Sequence, residues 1–76
     1  MKEALLTYQG FNNLKYCFKD QSGKEFHFVK AKNELVWSFE LNSSINIGKK
    51  YKARYFVNSE KFKDNYILCD LEDISS

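Results

Sequence analysis

The residues of this chain best suited to binding a ligand alternate along the segment 48–57. One face of this segment carries three cations and an aromatic ring, Lys50, Lys52, Arg54 and Phe56. The other face is apolar, with Tyr51, Ala53, Tyr55 and Val57. Because side chains two positions apart project to the same side of a strand, the pattern predicts a strand with one face in a core. The cationic face could bind a polyanionic ligand. It could equally be an ordinary solvent-exposed face, since most lysines are simply hydrated.

The residue types that catalysis and metal binding require are sparse. His27 is the single histidine, and no carboxylate and nucleophile stand beside it in the sequence. Cys17 and Cys69 lie far apart with no CxxC spacing, so metal and redox motifs are absent. The three glycines fit turns and do not form a phosphate-binding loop. We therefore expect a non-catalytic protein with no cofactor and no metal.

The mild net charge of +2 conceals an uneven distribution. Residues 49–63 carry six of the twelve Lys and Arg and one carboxylate, whereas residues 64–76 carry four carboxylates and no cation. No apolar run approaches the roughly 18 residues of a membrane span. The start of the sequence is too short and too polar for a signal peptide, so a cytoplasmic protein is expected.

The alternation of apolar residues predicts five short strands in one domain, residues 1–76 with an ordered core of about 4–72. The first, 4–9, places Leu6 and Tyr8 on one face, and Gly10 allows a bend or bulge after it. The inward residues of the second and third strands, 14–19 and 24–30, are Leu14, Tyr16, Phe18, Phe26 and Phe28. The fifth strand, 66–71, carries Ile67, Cys69 and Leu71 on one face and Tyr66, Leu68 and Asp70 on the other. The residues between the fourth and fifth strands, 58–65, are predicted to form a polar loop.

Two connections have local signals of their own. Asp20 and Gly23 occupy the first and fourth positions of a type I turn, which predicts a hairpin of the second and third strands. Residues 33–41 break the two-residue period, and Leu35, Val36 and Phe39 fall at helical spacing after a possible N-cap, Asn33. A short helix is expected here, and an irregular apolar loop is the alternative.

Three strands, a helix and then two strands, the first of them opened by Gly48, resemble the OB-fold. The resemblance covers residues 4–71 and is one of topology. It implies a mainly β, five-stranded Greek-key barrel with one short helix between strands three and four. An SH3-like barrel is the nearest competitor, because it also has five strands but lacks a true helix at that place.

The resemblance also implies where such a protein binds, namely the outer face of strands two and three with two flanking loops. On this chain that face offers Lys15, Lys19 and His27, the first loop offers Phe11, Asn12 and Asn13, and the second loop offers Lys61, Phe62 and Lys63. OB-folds hold single-stranded nucleic acid by cations along the backbone and by rings on which bases stack. Either phenylalanine would alternatively fold back and cap an open barrel end.

Two functions of different kinds therefore follow from the sequence. The first is binding of single-stranded nucleic acid, with DNA favoured slightly over RNA. In this function the site on strands two and three is extended by Lys50, Lys52, Arg54 and Phe56. The second is a protein-interaction module or a homodimer that uses an outward apolar pair, Phe56 and Leu68. The small size and the lack of catalytic parts would suit an accessory factor of a phage or another mobile element.

Overall fold

Five strands and one short helix make up the part of the chain that the computed structural model describes, residues 1–60 and 63–74. In chain order they are β1 (Lys2–Asn12), β2 (Lys15–Lys19), β3 (Glu25–Ala31), α1 (Asn33–Ser38), β4 (Lys50–Glu60) and β5 (Lys63–Asp73). The predicted order of elements, with a helix between the third and fourth strands, is confirmed. The structure is mainly β.

The five strands form one mixed sheet that closes on itself. β2 pairs antiparallel with β1 and with β3, and β4 pairs antiparallel with β1 and with β5. A parallel ladder between β3 and β5, which includes the pair Phe28 and Tyr66, completes the ring. Closure leaves no long edge of the ring exposed, and exposed edges are what a small open sheet must otherwise protect.

The predicted inward faces of four strands meet inside this ring. Leu6 and Tyr8 of β1 are buried, as are Phe26 and Phe28 of β3. The same is true of Phe18 in β2 and of three alternating residues in β4, Tyr51, Ala53 and Tyr55. Most of the ring pairs are tilted or edge-on, with the centroid of Phe18 5.0 Å from that of Tyr8, whereas Phe26 and Phe28 are stacked. Such pairs add about 0.5–1.5 kcal/mol beyond the area they bury.

The turn between β2 and β3 forms as predicted. The Gly23 N–H donates to the Asp20 carbonyl oxygen at 3.1 Å, and Gly23 has φ +90°. One carboxylate oxygen of Asp20 accepts from the Ser22 N–H, the Ser22 hydroxyl and the Lys24 N–H. These hydrogen bonds, led by that from the Ser22 hydroxyl, lower the pKa of Asp20, because they favour the ionised carboxylate.

Helix α1 is shorter than predicted and ends by a defined capping motif. The backbone of Glu40 adopts φ +49°, and the Leu41 N–H then donates to the Val36 carbonyl at 3.0 Å. This is the Schellman arrangement, in which a left-handed residue stops the helix and an apolar residue after it folds back. The N-cap is Lys32, without a side-chain cap bond, so the prediction of Asn33 as N-cap was wrong.

Tyr8 ties this helix end to the ring. Its hydroxyl donates to the carbonyl oxygen of Leu41, whose side chain is fully buried. Its backbone N–H donates to the Lys49 carbonyl, and its carbonyl accepts from the Gly48 N–H, both at 2.9 Å. Burial is the main cause that raises the pKa of Tyr8 to about 12.

Bulges in β1 and β5 change which residues face inward, and a further register shift lies between Phe28 and Lys30 of β3. In β1 the register shifts between Tyr8 and Gly10, so the bulge allowed by Gly10 is confirmed. In β5 Arg54 lies opposite Asp70 and Tyr55 lies opposite Leu68, which leaves the intervening Cys69 as an extra residue. An extra residue reverses the alternation from that point on.

β4 and β5 are both longer than predicted. Register pairs continue from Asn58 opposite Asn65 to Glu60 opposite Lys63, so residues 58–60 and 63–65 belong to strands and not to a loop. The ladder of β1 with β4 reaches only Tyr55, and that of β3 with β5 begins at Tyr66. Within the described residues this end of the hairpin therefore pairs with itself alone, as a two-stranded ribbon.

Replacing Tyr8 by phenylalanine is predicted to change stability with a characteristic pH dependence. Near pH 8, Tyr8→Phe should lower the free energy of unfolding by about 1–3 kcal/mol, because the buried Leu41 carbonyl loses its donor. From pH 10 to pH 12 the unfolded wild type loses the tyrosine proton before the folded protein does. The contribution of Tyr8 to wild-type stability thus falls by about 2 kcal/mol by pH 11.5, and the variant does not lose this contribution because it lacks the hydroxyl. Denaturant unfolding of both proteins at pH 8 and pH 11.5 measures this, and a gap that stays constant would contradict it.

Replacing Gly10 by alanine is predicted to destabilise the protein by about 1–3 kcal/mol, since φ +119° is a region that side chains rarely adopt. A β-carbon there would also lie 3.2 Å from Cδ1 of Ile47. Gly48→Ala is the matched control, because it has φ +94° and open space around it. Thermal melts should show the larger loss for Gly10→Ala, and Ile47→Ala should remove the excess. Equal losses in both variants would rule out the contact with Ile47.

Candidate nucleic-acid interface

The cations of β4 lie on the outer face, as predicted, but next to carboxylates. Nζ of Lys52 is 2.7 Å from Oε1 of Glu3 on β1, and Nε of Arg54 is 4.0 Å from Oε2 of the same residue. On the other side of β4, Lys52 lies opposite Glu72 and Arg54 lies opposite Asp70. Lys50 is exposed at the start of the strand. The charge of this face is thus partly compensated within the fold.

The cations on the outer face of β2 form no ion pair with a carboxylate of the described residues. Lys15 and Lys19 are half-buried, with Cys17 between them. Neither ammonium group is within 4.0 Å of a carboxylate of the described residues, although Lys19 lies opposite Glu25 in the ladder. The long stems of such lysines pack on the sheet while the charged ends stay in water. Two cations are therefore available to a ligand on this strand.

His27 completes this face from the neighbouring strand. It lies opposite Cys17 in the ladder of β2 with β3, and 46% of its side chain is exposed. Its Nε2 is 4.0 Å from Oε2 of Glu25, a distance too long for a hydrogen bond. His27 therefore presents a half-exposed ring on this face, with no hydrogen-bond partner for its side chain among residues 1–60 and 63–74.

Phe11 lies at the end of β1 and not in a loop, which corrects its predicted position. It is opposite Tyr16, and the two ring centroids are 4.8 Å apart with the planes tilted by 43°. Tyr16 in turn packs against the core. The ring of Phe11 remains 42% exposed. Because Tyr16 lies opposite the buried Phe28, Phe11 projects to the inner face, at the end of the ring of strands, and not to the outer face that carries Lys15 and Lys19. Tyr16 supports one side of its ring, and the rest is open.

The second predicted flanking group is only partly within the described part of the chain. Lys61 and Phe62 lie outside the described residues. Lys63 is the first residue of β5, at the end of the ribbon, and so it is not in a loop. Next to it the hydroxyl of Ser59 donates to Oδ1 of Asp64 at 2.7 Å across the ribbon.

The predicted outward pair of Phe56 and Leu68 was wrong in its second member. Leu68 is fully buried, because the bulge at Cys69 turns it toward Tyr55 and the core. Phe56 is outward and 47% exposed, and its neighbour across the ladder is the half-buried Ile67. A small outer apolar pair therefore exists, but it consists of Phe56 and Ile67.

Leu14 is another residue that was predicted on the wrong side. It was expected inward, yet it is 82% exposed in the two-residue turn between β1 and β2. Both turn residues have positive φ, 51° at Asn13 and 62° at Leu14. The turn-prone pair of asparagines before it was the available signal; the alternation had been extended one residue too far into the turn.

Two further features are absent from residues 1–60 and 63–74. Within them no three His, Cys, Asp or Glu side chains come together as a possible metal site. Nor does that part of the chain contain a helix with the length and apolarity needed to cross a membrane.

Comparison with known proteins adds no relative. No family model, no curated protein and no solved structure matches this chain. The function must therefore be argued from the geometry itself.

The bulge in β5 predicts that truncating two adjacent residues, Leu68 and Ile67, has different effects on stability. Leu68→Ala should lower the free energy of unfolding by about 2–5 kcal/mol, because it empties a fully buried site. Ile67→Ala removes a half-buried side chain on the outer face and should cost about 1 kcal/mol or less. Denaturant unfolding of the two variants measures the difference. The reverse order would place Ile67 in the core and exclude the bulge.

Proposed function

We propose that this chain is an OB-like barrel that binds single-stranded nucleic acid on the outer face of β2 and β3. The fold proposal is supported by the closed ring of five strands, in which β4 lies between β1 and β5 and the helix lies between β3 and β4. Such an order matches the Greek-key barrel of OB-folds, whose second and third strands bind oligonucleotides. The proposed role is non-catalytic.

One observation carries the functional proposal. Lys15 and Lys19 have no carboxylate within 4.0 Å among the described residues, and they share the outer face of the β2–β3 hairpin with His27. Lys52 and Arg54, by contrast, share Glu3 as an acidic neighbour. Hence β2 rather than β4 is the main site in this proposal, and β4 contributes less than its sequence suggests.

The expected energetics are those of a backbone groove with a stacking platform. Each cation that neutralises a phosphate releases counterions, which makes affinity fall steeply with salt. A base stacked on an aromatic ring contributes about 1–3 kcal/mol. Phe11, which packs on Tyr16 at the adjoining end of the ring of strands, is the platform in this proposal. Two phosphate contacts and one stacked base give micromolar rather than nanomolar binding.

The proposal predicts a difference between two matched double variants. Lys15→Gln with Lys19→Gln should weaken binding of a labelled single-stranded DNA roughly 10-fold or more at about 50 mM salt, and should reduce the salt slope by about 1.4. Lys52→Gln with Arg54→Gln removes the same charge from the compensated face and should have a clearly smaller effect. Fluorescence anisotropy at about 50 and 200 mM salt measures both, with RNA of the same sequence as a second ligand.

Two outcomes would contradict this proposal. Absence of wild-type binding at low salt removes the function itself. Equal losses in the two double variants would mean that the ligand does not distinguish the β2 face from the β4 face. Far-ultraviolet circular dichroism of each variant shows that the fold is retained.

A protein partner or a second copy of this chain is the alternative function, and the outer pair of Phe56 and Ile67 favours it. Apolar and aromatic side chains are enriched at the centre of protein interfaces. Light scattering of wild type and of Phe56→Ser tests this directly. A dimer that the substitution dissociates, together with no affinity for oligonucleotides, would replace the first proposal by the second.

A further inference from the structure

The turn between β1 and β2 contains Leu14, for which both the backbone conformation and the solvent exposure are unfavourable. A two-residue hairpin turn with positive φ at both positions prefers asparagine followed by glycine. Asn13 fits the first position, but the second holds Leu14 at φ 62°. Bulky side chains are rare in this backbone region, because Cβ approaches the carbonyl oxygen.

The same residue is also poorly placed for hydration. Leu14 is 82% exposed, the most exposed large hydrophobic residue of those described. It does not belong to the core cluster or to the apolar side chains packed against it. Its side chain thus stabilises neither the hairpin nor the ring. A leucine that is unfavourable on both counts indicates a contact made with something outside the chain.

We propose that Leu14 contacts the face of an unpaired base, as the tip of a base-binding site formed by the β1–β2 hairpin. This inference rests on the proposed function. Its ligand is argued from charge: Lys15 directly follows Leu14, and neither Lys15 nor Lys19 has a carboxylate within 4.0 Å among the described residues. A polyanion that presents apolar faces fits this combination, and single-stranded nucleic acid has both properties.

The site would take bases that are not already stacked in a duplex. Phe11, half-exposed on Tyr16, offers a flat aromatic surface on the same hairpin, and Leu14 at the turn offers an exposed aliphatic one. Apolar side chains can lie against a base face only where stacking is absent or has been disrupted, which costs free energy in a duplex. The substrate class is therefore a single strand or an unpaired end, and the intact double helix is disfavoured.

The experiment compares Leu14→Gly with the wild type in two measurements that should move in opposite directions. The melting temperature should rise by roughly 2–8 °C, because the substitution relieves the backbone and completes the preferred turn. The affinity for a labelled single-stranded DNA should fall about 5-fold or more, because an apolar contact to a base is lost. The same oligonucleotide annealed to its complement should bind more weakly than the single strand. Leu14→Gly should reduce this difference in affinity between single strand and duplex.

Asn13→Gly is the matched control, since it alters the same turn but removes no apolar side chain. It should leave the affinity within 2-fold of the wild type. The inference is overturned if Leu14→Gly binds as tightly as the wild type, or if its melting temperature falls. A wild type that binds no single strand overturns the proposed function as well, so the two failures are distinguishable.

Discussion

The hydrogen bond from the Tyr8 hydroxyl to the Leu41 carbonyl is the contact on which the rest of this small protein depends. A short helix cannot persist alone, and α1 has only six residues. Its end is held because Leu41 is fixed twice, by its own buried side chain and by this bond. The backbone of Tyr8 also pairs with Gly48 and Lys49, the residues that lead into β4. One tyrosine thus fixes both ends of the segment that connects the helix to the fourth strand.

The parts of the fold that follow from local alternation could be read from the sequence. The inward faces of β1, β3 and β4 and the turn at Asp20 needed only the two-residue period and the preferences of turn residues. The wrong predictions lie where one extra residue, in a bulge or a turn, shifts the alternation of inward and outward side chains. Cys69 is an extra residue in β5, and without a partner strand in view nothing in the sequence distinguishes it from Ile67 or Leu68. Leu14 was misplaced by the same mechanism, at a turn instead of a bulge.

The electrostatic character of the candidate site depended on pairing between distant strands. Lys52 and Glu3 are far apart in sequence, and only the antiparallel register of β1 with β4 brings them together. The alternation of cations along β4 was therefore correctly predicted, whereas its compensation could not be. Lys15 and Lys19 looked less prominent in the sequence, yet neither has a carboxylate within 4.0 Å among the described residues. Which of the two basic strands has nearby carboxylates thus depends on how the strands pair in the ring, and not on the sequence of either strand alone.

Ring closure has a consequence for how the chain reaches this structure. The parallel ladder that completes the ring joins Phe28 to Tyr66, residues about 38 positions apart, and it contains few register pairs. The entropy of closing that long segment is lost before the contacts of the ladder, including the rings of Phe28 and Tyr66 at 6.2 Å, can compensate. We therefore expect closure to be late in folding. During synthesis one edge of β3 therefore remains unpaired until β5 has emerged. In this interval the unpaired edge can associate with strands of other chains.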